Sequence, residues 1–91
     1  MQVLSFLAIA ALAPSALAWS WQYGGHTESH QGSYGCHSYS IPSGSNWSYN
    51  SGSGCTLYWY QNNRCGGQQS SYRRSGNYRS GYNYNSYKVD C

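Results

Sequence analysis

Cys55-Thr56-Leu57-Tyr58-Trp59-Tyr60-Gln61-Asn62-Asn63-Arg64-Cys65-Gly66-Gly67 is the stretch that decides the fold. Its first six residues favour a strand, and alternation puts Cys55, Leu57 and Trp59 on one face and Thr56, Tyr58 and Tyr60 on the other. Both faces carry rings, so both are expected to be at least half buried. The turn at Asn62-Asn63 leads to a second strand expected from about Cys65, with Gly66-Gly67 marking a bulge or a tight approach of backbones. A β-hairpin results.

Upstream, Cys36 to Ile41 alternates with His37, Tyr39 and Ile41 on one face, and Pro42-Ser43-Gly44 then breaks the run, which reads as a strand and a turn. Residues 43–54 are Ser/Gly/Asn-rich and are expected at the surface. They contain the sequon Asn46-Trp47-Ser48, which makes Asn46 a candidate for glycosylation. Trp19, Trp21 and Tyr23 at alternate positions form one short strand, and a loop is expected beyond Tyr23. Downstream, Arg74-Ser75-Gly76-Asn77-Tyr78 is echoed by Arg79-Ser80-Gly81-Tyr82-Asn83, so residues 73–85 read as a loop or low-complexity tract. The last strand is expected over Ser86 to Cys91, with Tyr87, Val89 and Cys91 inward. No segment after residue 18 has helical periodicity.

The chain opens with an apolar run from Val3 to Ala13, then Pro14, then the small-residue triplet Ala16-Leu17-Ala18. This is the outline of a signal peptide over residues 1–18, cleaved before Trp19, and it implies a secreted, extracellular product. The run is too short, and interrupted by proline, to serve as a membrane anchor. Residues 19–91 make one domain, which holds all 4 cysteines, all 11 tyrosines and all 4 tryptophans. Its only Ile, Leu and Val residues are Ile41, Leu57 and Val89. A core of ordinary aliphatic kind is therefore excluded, and aromatic rings must supply the buried area. Covalent help is needed as well, and Cys36, Cys55, Cys65 and Cys91 are expected to form two disulfides. With 18, 9 and 25 residues between them, they lack the close pairs of a zinc site. Spacing leaves Cys36–Cys55 with Cys65–Cys91 open as one pairing.

The residues also resemble a family. Tyr60-x4-Cys65-x-Gly67 is similar to the Greek-key signature of the β/γ-crystallin superfamily, with Cys65 in place of the second aromatic, and Asn85-Ser86-Tyr87-Lys88-Val89 resembles that motif's closing strand. Ser40-Ile41-Pro42-Ser43-Gly44 ahead of the Cys55 to Gly67 hairpin resembles small secreted fungal proteins of crystallin-like type. The resemblance covers residues 36–91 and implies a small disulfide-stabilised Greek-key β-sandwich, all-β, in which a serine packs over the hairpin. It also implies the pairing Cys36–Cys65 with Cys55–Cys91, because the first and last strands of such a motif are antiparallel neighbours. Residues 19–35, read as an N-terminal strand and loop, match nothing in it, and no good copy of a crystallin-type calcium site is present.

Glu28 and Asp90, the 2 acidic residues, stand far apart in the sequence, which argues against catalysis by paired carboxylates. No serine has a G-x-S-x-G setting, and four cysteines in an oxidising compartment leave no thiolate nucleophile. His26 and His30, with Glu28 between and His37 beyond, are weak metal candidates, and no cofactor is expected. His37, Glu28 and an arginine such as Arg73 are the candidate acid, base and phosphate clamp of a compact secreted ribonuclease, since tyrosine richness and two disulfides resemble the guanyl-specific fungal enzymes. Net charge is +3, too low to signal nucleic acid by itself. The interleaved rings and cations Tyr72, Arg73, Arg74, Tyr78, Arg79, Tyr82 and Tyr84 form a candidate binding surface. The expected product is a monomeric, non-enzymatic module without a transmembrane segment. It would act by surface contact on a polysaccharide, an anionic surface or a host or competitor protein, as an effector, a defence-type protein or a cell-wall binder. The alternatives are the ribonuclease and a carbohydrate-binding module.

Overall fold

A computed structural model describes residues 18–91, so the expected signal peptide lies outside the described residues, apart from Ala18. Eight strands form: β1 (Trp19–Tyr23), β2 (His26–His30), β3 (Tyr34–Ile41), β4 (Asn46–Asn50), β5 (Thr56–Tyr60), β6 (Gln69–Tyr72), β7 (Gly76–Arg79) and β8 (Tyr84–Asp90). The only helical element among the described residues is a single 3-10 turn over Asn63–Cys65. Two antiparallel four-stranded sheets, ordered β2-β1-β4-β7 and β3-β8-β5-β6, make a β-sandwich.

Each half of the chain is built alike. In the first half β4 returns beside β1, and β3 crosses to the edge of the other sheet; in the second half β8 returns beside β5, and β7 crosses back. The fourth strand lying beside the first is the Greek-key arrangement. Registers correspond as well: Trp21 faces Tyr49 as Trp59 faces Tyr87, and Gln22 faces Ser48 as Tyr60 faces Ser86.

Several segments read as loop or as surface contain strands. Residues 24–33 contain β2, because Gly24 (φ +59°) and Gly25 close a two-residue hairpin that lays His26–His30 against β1. Residues 43–54 contain β4, whose Trp47 and Tyr49 are buried. Residues 73–85 contain β7 and the start of β8. The second strand of the predicted hairpin begins at Gln69 rather than near Cys65, because the 3-10 turn and Gly66-Gly67 take up the intervening chain. Along β3, register shifts against β8 break the expected alternation, so Ile41 is buried while His37 is exposed and stacks on Tyr34 at 3.9 Å. Cys91 is exposed at the chain end, while its sulfur is bonded to the buried Cys55.

The core is aromatic. All four tryptophans are buried, Tyr49, Tyr60, Tyr84 and Tyr87 are buried, and the remaining tyrosines are half-buried. Ile41, Leu57 and Val89 are each 0% exposed, so the few aliphatic side chains are fully used. Trp21 and Trp59 meet edge to face at 5.0 Å and both pack on Tyr87. Trp59 stacks on Tyr84 at 5.2 Å, and Trp47 meets Tyr72 at 90°. Such tilted and edge-on pairs set the positive ring edge against a negative face. The indole N–H of Trp19 donates to Gly32 O, whereas those of Trp21, Trp47 and Trp59 are buried in the aromatic core without a well-formed hydrogen bond.

Cys36 is bonded to Cys65 and Cys55 to Cys91. Strand order produces this: β5 and β8 are neighbours, so Cys55 just before one meets Cys91 just after the other, while the 3-10 turn carries Cys65 back over β8 to β3.

Candidate functional site

The rings of the tyrosine and arginine tract pack wholly or partly against the core. Tyr84 is buried, Tyr72 donates or accepts a hydrogen bond with the Tyr84 hydroxyl at 2.6 Å, and Tyr82 packs edge-on against Tyr84. Burial, reinforced by the Tyr84 hydroxyl, pushes the Tyr72 phenol well above its ordinary range, and burial also raises that of Tyr82. Tyr78 stacks on Trp47 and donates to Arg74 O. Arg73, Arg74 and Arg79 remain exposed, the first two between β6 and β7. The missing aliphatic core has claimed the rings.

The histidines are dispersed along the edge strands β2 and β3. His26 bonds Glu28 at 2.8 Å and stacks on Tyr39, His30 lies against Tyr34, and the His37 ring bonds Gly35 O through Nδ1. No three His, Cys, Asp or Glu side chains among the described residues are grouped to hold a metal ion. His37 and Arg73 are not brought together either. His37 is on β3 while Arg73 follows β6, and the two strands between them place roughly 14 Å of sheet in the way at about 4.8 Å per strand.

The structure instead gathers polar groups on the outer face of the first sheet. Inward alternation of Trp21, Trp47, Tyr49 and Tyr78 turns Gln22, Asn46, Ser48, Asn77 and Arg79 outward. With Gly24, Trp47 and Tyr78 they line an open cleft of about 590 Å³. Thr27, Gln22, Ser48 and Asn77 stand in one row across all four strands, and Asn46 pairs with Arg79 beside it. No side-chain hydrogen bond joins Gln22, Ser48 or Asn77 to another described residue. Of the residues singled out from sequence, Asn46, Tyr78 and Arg79 come together here; Gln22, Ser48 and Asn77 were not foreseen. The signal that would have found them is the alternation Asn46-Trp47-Ser48-Tyr49-Asn50 inside a segment whose composition reads as a loop.

In the corresponding row of the second sheet, Gln69, Tyr60, Ser86 and Ser38, the two middle residues are covered. The connection from Gln61 to Gln68 folds over them: the Ser86 hydroxyl donates to Asn62 O at 2.6 Å and accepts from the Cys65 N–H at 2.8 Å. This is the serine expected over the hairpin. Gly67 is required there, since its φ is +78° and a Cβ would lie 2.7 Å from Asn62 Nδ2. Among the described residues no helix is long and apolar enough to cross a membrane. No family model, curated protein or solved structure matches the chain.

Proposed function

We propose that this protein is a secreted, non-enzymatic binding module of the small Greek-key type akin to the β/γ-crystallins, acting by surface contact as an effector, a defence-type protein or a cell-wall binder. The observation that carries the reading is the division of labour between faces. Rings and aliphatics turn inward, and the outer face of the first sheet presents amides and hydroxyls around an open cleft. Two disulfides in so small a domain fit an oxidising, extracellular setting, and the apolar opening of the chain supports secretion. The acids support binding over acid–base catalysis, since Glu28 is engaged by His26 and Asp90 lies near Lys88.

The test is a pull-down of the disulfide-bonded protein on chitin, cellulose, glucan and intact cells, run beside an RNA-cleavage assay. Retention on at least one surface without RNA cleavage is expected. Cleavage that His37→Ala abolishes would overturn the reading.

A further inference from the structure

The two halves share a topology and differ at one place. In the second half the connection between the first two strands is long, and its turn caps the outer row at Ser86. In the first half that connection is Gly24-Gly25 alone, so nothing reaches Ser48, and the cleft stands where the cap would be. The footing also differs in kind. Beneath the cap lies Tyr60, 6% exposed, and the cap is tied down by the Cys36–Cys65 bond. In the cleft the matching residue is Gln22, an exposed amide, and no cysteine lines the walls. A peptide turn therefore has neither the apolar seat nor the tether it has in the other half.

What the cleft does offer is three amides (Gln22, Asn46, Asn77), the Ser48 hydroxyl and the Arg79 guanidinium, with no carboxylate. Amides and hydroxyls both donate and accept, so their best match is a ligand whose own groups do both, which is the property of sugar hydroxyls. One guanidinium without a second cation makes no clamp for a polyanion, and the lack of a carboxylate gives no hold on a cation. The volume suits a small ligand.

We infer that this cleft binds a neutral oligosaccharide, laid along the row Gln22, Ser48 and Asn77 with Asn46 and Arg79 beside it. The inference rests on the binding-module reading above and gives it a site and a ligand class. It makes Gln22 and Asn77 the specificity residues, and it places the Asn46 sequon on the wall of the cleft, where an attached glycan would compete with a free one.

The test is a titration of the disulfide-bonded protein, expressed without glycosylation, with chitohexaose, laminarihexaose and cellohexaose, followed by nuclear magnetic resonance. At least one hexaose should shift the backbone amides of Gln22, Ser48, Asn77 and Tyr78. Gln22→Ala and Asn77→Ala should each weaken binding by roughly fivefold, the worth of one hydrogen bond, with Arg73→Ala unchanged. Both variants sit at exposed strand positions, and retained amide-shift dispersion verifies that they fold. Absence of shifts with every hexaose, shifts centred on Arg73 and Arg74, or undiminished binding by both variants would overturn the proposal. So would a peptide of the 61–68 sequence, with serine at the cysteine position, that shifts the cleft amides where sugars do not. Retention on whole cells alongside any of these negative results would move the binding surface elsewhere and leave the binding-module reading standing.

Discussion

Ser86 and Ser48 hold corresponding places in the two halves and should respond oppositely to loss of the hydroxyl. Ser86→Ala strands the Cys65 N–H and the Asn62 carbonyl under the cap, which should cost about 2 kcal/mol. Ser48→Ala removes a hydroxyl with no protein partner and should change stability by under about 0.5 kcal/mol. Urea unfolding of the two variants measures the difference, and equal effects would refute the distinction between a capped and an open row. Tyrosine ionisation belongs at the same scale. Burial, helped by nearby Tyr78, holds the Tyr49 phenol up to about 12 against an ordinary 10.0, and burial raises Tyr72 and Tyr87 as well. A folded pKa above the unfolded one means the native state keeps its proton longer. The resulting stability is complete below pH 10 and is lost as pH rises through the folded value. Spectrophotometric titration should show a group of tyrosines ionising only with unfolding, at clearly more alkaline pH than free tyrosine.

The two cross-links act on elements. Cys55–Cys91 closes a span of 36 residues and Cys36–Cys65 one of 29, so by loop entropy each should stabilise by about 4 kcal/mol. Removing Cys55–Cys91 frees the end of β8, a central strand, and should lower stability throughout the second sheet. Removing Cys36–Cys65 frees the cap and the edge strand β3, so amide exchange should quicken there first. Strands with inward rings or aliphatics at strict alternation, β5 above all, were legible from residue order alone. β4 and β7 were not, because five-residue and four-residue strands built from Asn, Ser, Gly and Arg have loop composition, and only Trp47, Tyr49 and Tyr78 mark their inward faces. The cleft was illegible for the same reason: Ser48 and Asn77 fall into one outward row with Gln22 only once β4 is known to lie beside β1 and β7 beside β4. Asn46 and Arg79 were visible as chemistry, but their pairing depends on that register. In the tyrosine tract, residue order shows rings spaced among arginines but not their depth, and the shortage of aliphatics draws Tyr84 fully and Tyr72, Tyr78 and Tyr82 partly into the core.

At the scale of the whole molecule, three aliphatic side chains cannot close a sandwich of two sheets, and the buried tryptophans and tyrosines take their place. Each ring buries some 150 to 250 Å² in such positions, roughly two or more times what a small aliphatic residue contributes, and edge-on pairs add to that. The unfolded chain must still surrender backbone freedom at roughly 1 to 2 kcal/mol per residue, which leaves a domain of this size with little margin. The two cystines supply that margin by restricting the unfolded chain. The claim that aromatic packing and cross-links together maintain the fold is tested most directly by near-ultraviolet circular dichroism of the protein before and after complete reduction, with thiol titration to verify that both bonds are open. A strong aromatic signal that melts cooperatively and collapses on reduction is the expected result. A signal of undiminished strength and cooperativity in the fully reduced protein would contradict the account.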